Sequence, residues 1–403
     1  MINFPSRAYI LTFLLSFFPI FLYGGLRFVH IFTLICVVIY FMITRTVRTK
    51  SLLLLFLYPI LIFISIFVNK SYSQLIFGFD IIAISIFTHS WCDYYTVNRY
   101  YKLLCFSSSI LSLILIGISC YHIFFLGTIL DYKAITGIKA LFGLAPLFYL
   151  FTVIKFDEKN SILSFLNPFK VKNLFFYTLF SLMLLSGERK AVLSSILSII
   201  CLFLIVRLNV WRSTSLKDNI ELHKTLMSRV KKILLFSVSG ILLIFLCFKS
   251  SNIQLLIINI ADGLKTSQYY SLSNYSRILQ FSYVFEFLDN AFLFGSPSID
   301  INAIMESDYS AAIASPLHNY YLRILMQFGY FSFASLFLVY VFAAISVPSG
   351  VTTSKFLKIK IAVVYPLMVY CFMINMFVGG GSLSTLLLFF PLFFALAREK
   401  VIT

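Results

Sequence analysis

Apolar stretches long enough to cross a membrane recur along this 403-residue chain, separated by short loops rich in Lys and Arg. A helix needs about 20 apolar residues to traverse the hydrocarbon core, where no water satisfies an unpaired backbone group. That yardstick predicts about twelve spans. In the first half they fall at 8–26, 28–43, 51–68, 73–90, 103–126 and 137–154. In the second half they fall at 173–186, 191–206, 233–248, 319–346, 361–378 and 383–397. The first run is followed at once by a second span, with no small-residue cleavage site, so it reads as a retained helix rather than a signal peptide. The short alternating segments of an outer-membrane barrel are missing. The expected fold is therefore all-α, a polytopic inner-membrane helical bundle forming a single integral domain over 1–403.

Charge decides orientation. Lys and Arg number 32 against 15 Asp and Glu, a formal net charge of +17. The cations lie between spans, in Thr44–Lys50, Val97–Lys102, 167–172, Arg207–Lys232 and Ser354–Lys360. The opposite side carries few in its short loops: Arg27, Lys70, Lys133 and the turn SGERK at Ser186–Lys190. The positive-inside rule then places both termini in the cytoplasm and the large loop 249–318 in the periplasm. The same distribution argues against a nucleic-acid partner. The seven cysteines are scattered through or beside spans with no metal-ligand spacing, so neither a disulfide framework nor a metal site is expected, and no cofactor.

Loop 249–318 is the one long polar interruption, and candidate chemistry gathers there and in SGERK. Arg189 sits where an outward helix turns back; it reads either as a snorkelling anchor or as a cation held outside, where the orienting bias disfavours one. Arg277 follows Ser273-Asn-Tyr-Ser and opens a run whose Phe281, Phe285 and Leu288 share one helical face. It is a surface charge, or a second guanidinium able to meet a phosphate in bidentate fashion. His318 begins the tenth span behind Pro316, with Asn319 beside it and Arg323 further along the same helix. A cation at that depth faces protein interior or a wet cavity. Tyr320 and Tyr321 fit an interfacial aromatic belt. Phosphate-binding Gly-rich loops, a nucleophile elbow and diagnostic carboxylate pairs do not occur. No internal repeat of the kind used by secondary transporters appears either.

These features resemble the bacterial O-antigen ligase and O-antigen polymerase superfamily. His318-Asn319, nine residues and then Gly329 are similar to the ligase signature, with Ser332 departing from its last position. SGERK resembles the family's arginine-bearing periplasmic turn. SNYSR with AFLFGSPS resembles its second loop arginine and the glycine-containing stretch that follows. The resemblance has motif support over roughly residues 173–345 and rests on topology elsewhere.

The resemblance implies a metal-independent, inverting glycosyltransferase acting on an undecaprenyl-pyrophosphate-linked glycan at the periplasmic face. As a polymerase it would join lipid-linked repeat units, with a chain-length regulator as a possible partner. As a ligase it would deliver the polysaccharide to a lipid A–core acceptor. Ser332 tips the reading to polymerase. Arg189 and Arg277 would hold the pyrophosphate, Asn319 and Arg323 would bind substrate, and His318 would act as general base or orient the acceptor. A lipid-linked oligosaccharide flippase, the contrasting class, should carry charges inside its spans and lack a large outer loop.

Overall fold

The computed structural model of the chain describes residues 21–23, 26–27, 52–91, 97–125, 139–153, 171–185, 189–207, 214–248, 293–296, 319–377 and 382–397, together with Ile31, Leu34, Ile35 and Val38, which are helical. Helices occupy the expected spans from residue 52 onward: α1 Leu52–Val68, α2 Leu75–Trp91, α3 Val97–Phe125, α4 Lys139–Val153 and α5 Val171–Leu185. They continue with α6 Arg189–Arg207, α7 Leu216–Phe248, α8 Tyr320–Ser346, α9 Ser354–Asn375 and α10 Ser382–Ala395. Among the described residues, four helices contain a segment long and apolar enough to cross a membrane: Leu104–Tyr121, Lys190–Arg207, Tyr320–Ser346 and Ser354–Asn375. Shorter apolar helices accompany them. Of the large loop only Leu293–Ser296 is described, so Arg277 and His318 lie outside the described residues.

Three expectations are corrected. The first apolar run does not stay helical to residue 26: Phe21–Tyr23 (β1) pairs antiparallel with Leu26–Arg27 (β2), Tyr23 facing Leu26. Gly24-Gly25 separates the strands, a dipeptide suited to a two-residue hairpin turn. The basic segment Arg207–Lys232 is not simply a loop, because from Leu216 it is the first half of the 33-residue helix α7. Likewise Ser354–Lys360 opens α9, and Lys360 is completely buried.

α8, α9 and α10 pack on one another at the heart of the bundle. α1 covers α8, α2 covers α10, and α6 lies along α9. α4 bridges α6 to α3 and α5. α9 is buried on nearly every side, which suits a sequence apolar all round. Small residues bring the helices close, as expected where lipid removes the hydrophobic drive between them. Ser194, Ser195 and Ser198 are fully buried. Ser195 Oγ donates to the Gly143 carbonyl of α4 at 2.5 Å, and Ser198 Oγ to the Pro366 carbonyl of α9 at 2.9 Å.

At one end of the bundle a single lysine closes two helices. Lys360 Nζ donates to the carbonyl of Ser349, just past α8, at 3.0 Å and to that of Ala397, just past α10, at 2.7 Å. A cation at two helix C-termini answers both their unsatisfied carbonyls and their dipoles. Beside it, α7 docks through Asn219, whose Nδ2 donates to Ser354 Oγ at 2.6 Å, and through His223, whose Nε2 is 3.1 Å from the Tyr365 hydroxyl.

Candidate functional site at the α8 entrance

The other end is built around a break in α8. Gly329 has φ 78° and ψ −178°, a conformation essentially reserved for glycine. The break releases backbone groups that a continuous helix would pair, and the turn Leu293–Ser296 takes them up. Ser296 N–H donates to the Met326 carbonyl at 2.9 Å, while Phe331 N–H donates to the Leu293 carbonyl at 3.4 Å. Gly295, at φ 68°, lies directly against Gly329. A Cβ on Gly329 would sit 2.5 Å from the Gly295 nitrogen, and one on Gly295 would run into the Gly329 and Phe328 nitrogens. The two glycine-bearing segments that carry the family resemblance thus dock backbone to backbone.

α1 completes the joint. The Phe294 carbonyl accepts from Ser65 Oγ and, at 3.2 Å, from Asn69 Nδ2, which also reaches the Ser65 carbonyl at 2.9 Å. Phe294 and Phe331 pack as rings 5.8 Å apart. The described piece of the large loop is therefore fixed to two helices by its main chain.

The first turns of α8 hold the polar groups. Asn319 is the N-cap: its Oδ1 accepts from Tyr321 N at 3.0 Å and Leu322 N at 3.1 Å, satisfying two donors that a helix start leaves open. Arg323 is half-buried, and its Nε donates to Gln327 Oε1 at 2.9 Å, one turn on. That bond fixes the plane of the guanidinium. Tyr320 is not a belt residue. It is fully buried, its hydroxyl 3.0 Å from that of Tyr58 and 3.4 Å from Thr385 Oγ1. Tyr321 also turns inward, donating to the Phe372 carbonyl at 3.1 Å.

Asp80 was absent from the sequence candidates. It lies near the start of α2 and is 5% exposed. The available signal was a lone carboxylate in the apolar run LIFGFDIIAIS, since an ionisable group at membrane depth marks a functional position or a partner.

Arg189 opens α6, and nothing is described of its side chain. Its neighbour Lys190 donates from Nζ to the Phe377 carbonyl at 3.2 Å, which brings the start of α6 to the end of α9. Asn375 Nδ2 donates to the Ser384 carbonyl at 3.3 Å, so the start of α10 lies there too. The structure thus groups Asn319 and Arg323 with the α8 break, and places the helix that Arg189 begins against the end of α9. Among the described residues no group of His, Cys, Asp and Glu is arranged to hold a metal ion.

Chemically, this end presents a guanidinium of fixed plane, a buried carboxylate and clustered hydroxyls beside a loop anchored by its backbone. A half-buried guanidinium of this kind can pair with an anionic group. No protein-family model matches the chain, and no curated protein sequence matches it.

Proposed function

We propose that the chain is an O-antigen polymerase of the inner membrane, joining undecaprenyl-pyrophosphate-linked repeat units at the periplasmic face. What carries the reading is the docking of Leu293–Ser296 into the Gly329 break, beside Asn319 and Arg323. Two sequence stretches that resemble the family, 34 residues apart, form one joint at the end where cations are scarce in the short loops.

The reaction is a single displacement. An acceptor hydroxyl of one lipid-linked unit attacks the anomeric carbon of the glycan on the other. The new C–O bond forms as the bond to pyrophosphate breaks, with inversion, and undecaprenyl pyrophosphate leaves. Arg189 and Arg277 meet the charge that develops on the leaving group, where preplaced donors in a low-dielectric cleft act most strongly. His318 takes the hydroxyl proton or orients the acceptor. Arg323 and Asn319 border the acceptor path, Asn319 also capping α8.

The polysaccharide gel pattern of a deletion strain tests this. Lipid A–core bearing a single repeat unit is the expected pattern. Bare core with polymer stranded on the carrier would make the chain a ligase, and absence of periplasmic lipid-linked repeats would make it a flippase.

A further inference from the structure

The first half of α7 has a role that glycan transfer leaves unexplained. Asn219, His223 and Met227, at four-residue spacing, are buried on one face, 0%, 3% and 6% exposed. The exposed remainder of the helix is basic: Lys217, Lys224 and Lys231 recur every seven residues, with Arg229 and Lys232 also exposed. Asp218 and Glu221 share it, and cations outnumber them five to two. A repeat of seven keeps the three lysines in one stripe along the helix.

The buried face fixes the depth of this stripe. Asn219 bonds to Ser354, the first residue of α9, and His223 to the Tyr365 hydroxyl further along it. Ser354 marks the level at which a helix of membrane-spanning length begins. The same helix then continues without interruption into the apolar run 233–248. The stripe therefore stands at the bilayer interface, where its neighbours are lipid head groups.

We infer that the Lys217–Lys224–Lys231 stripe of α7 binds anionic phospholipid head groups of the membrane leaflet at the α8–α9 junction. Charge complementarity identifies the occupant: a zwitterionic head group offers no net charge to an exposed row of ammoniums, whereas a phosphatidylglycerol surface attracts each of them. The long lysine stems allow the charges to reach the phosphate plane while the apolar half of the helix remains in the core.

The test uses the full-length protein in nanodiscs of phosphatidylcholine containing a minor fraction of spin-labelled phosphatidylglycerol. The readout is enrichment of the label around the protein over a spin-labelled phosphatidylcholine control. The expected result is selective enrichment that falls as salt is raised. A Lys217→Gln/Lys224→Gln/Lys231→Gln variant should lose about tenfold or more of it, since each interfacial charge contributes about fivefold. Lys70→Gln, which removes an exposed lysine at the far end of α1, should leave it unchanged. Equal enrichment in the triple variant overturns the inference, as does an equal loss in Lys70→Gln. Absence of any preference for phosphatidylglycerol in the wild type also overturns it and turns the stripe toward an acidic protein partner. Glycan transfer is not part of the readout, so this test and that of the proposed function fail separately.

Discussion

The two ends of the bundle use buried polar groups differently. At the α8–α9 junction the buried cation serves the main chain. Lys360 bonds the backbone carbonyls of Ser349 and Ala397 and ties two helix ends together. At the α8 entrance the backbone is already served by the Leu293–Ser296 turn and by Asn319, and side chains face one another: Tyr58 with Tyr320, Tyr320 with Thr385, Arg323 with Gln327. A buried cation whose hydrogen bonds go to carbonyls holds a fold together. If the proposed function holds, perturbing the two ends should separate stability from activity.

The largest separation is expected at the reaction end. His318→Ala should lower glycan transfer by about 10²–10⁴-fold in protein that still folds and inserts. His318→Gln then distinguishes proton transfer, which glutamine cannot perform, from acceptor positioning, which it can. Arg189→Lys and Arg277→Lys should each lose most activity, because an ammonium cannot reproduce the bidentate fork. Full activity in both lysine variants at normal expression would reduce these arginines to interface anchors.

Next comes the joint between loop and helix. Gly329→Ala or Gly295→Ala should cost at least about 3 kcal/mol, adding a disallowed backbone conformation to a backbone clash. Thermal unfolding in detergent reads this directly. Gly117→Ala, where a Cβ meets nothing within 4 Å, is the control and should leave the midpoint unchanged or slightly raised.

The closing end should respond in stability alone. Lys360→Met strands the buried Ala397 carbonyl and releases that of exposed Ser349, at a cost of about 2 kcal/mol, while activity per folded molecule stays near normal. A further effect, confined to acid pH, concerns His223. Burial lowers its pKa from the ordinary 6.5 to about 4, and Lys360 pushes the same way against the bond to Ala344. The folded protein therefore holds the ring neutral, and the unfolded chain takes up a proton first as pH falls. Stability present above pH 6.5 is lost between 6.5 and about 4, by up to about 3 kcal/mol. A pH series of thermal midpoints should fall over that window in the wild type and flatten in His223→Gln.

How much of this the sequence could reveal follows from the range of each interaction. Helix positions from α1 onward were legible because twenty apolar residues in a row state their own environment. The N-terminal pair β1–β2 was not, since its strands interrupt an apolar run only locally. Lys360 looked like a loop cation because counting charges near span ends cannot tell solvent from a neighbouring helix terminus. Tyr320 looked like an interfacial aromatic for the same reason: its partners, Tyr58 and Thr385, are distant in the chain. Gly329 and Gly295 were each visible as motif residues, but that one fills the break left by the other depends on a backbone conformation and not on residue type.

The most direct test of the division between the two ends is turnover of undecaprenyl-pyrophosphate-linked repeat units by purified protein in liposomes. Wild type, His318→Ala and Lys360→Met should be compared at equal folded protein. Polymer formation with release of undecaprenyl pyrophosphate is expected from the wild type and, per folded molecule, from Lys360→Met, with loss in His318→Ala. No turnover by the wild type, or loss in Lys360→Met with full activity in His318→Ala, would contradict the account.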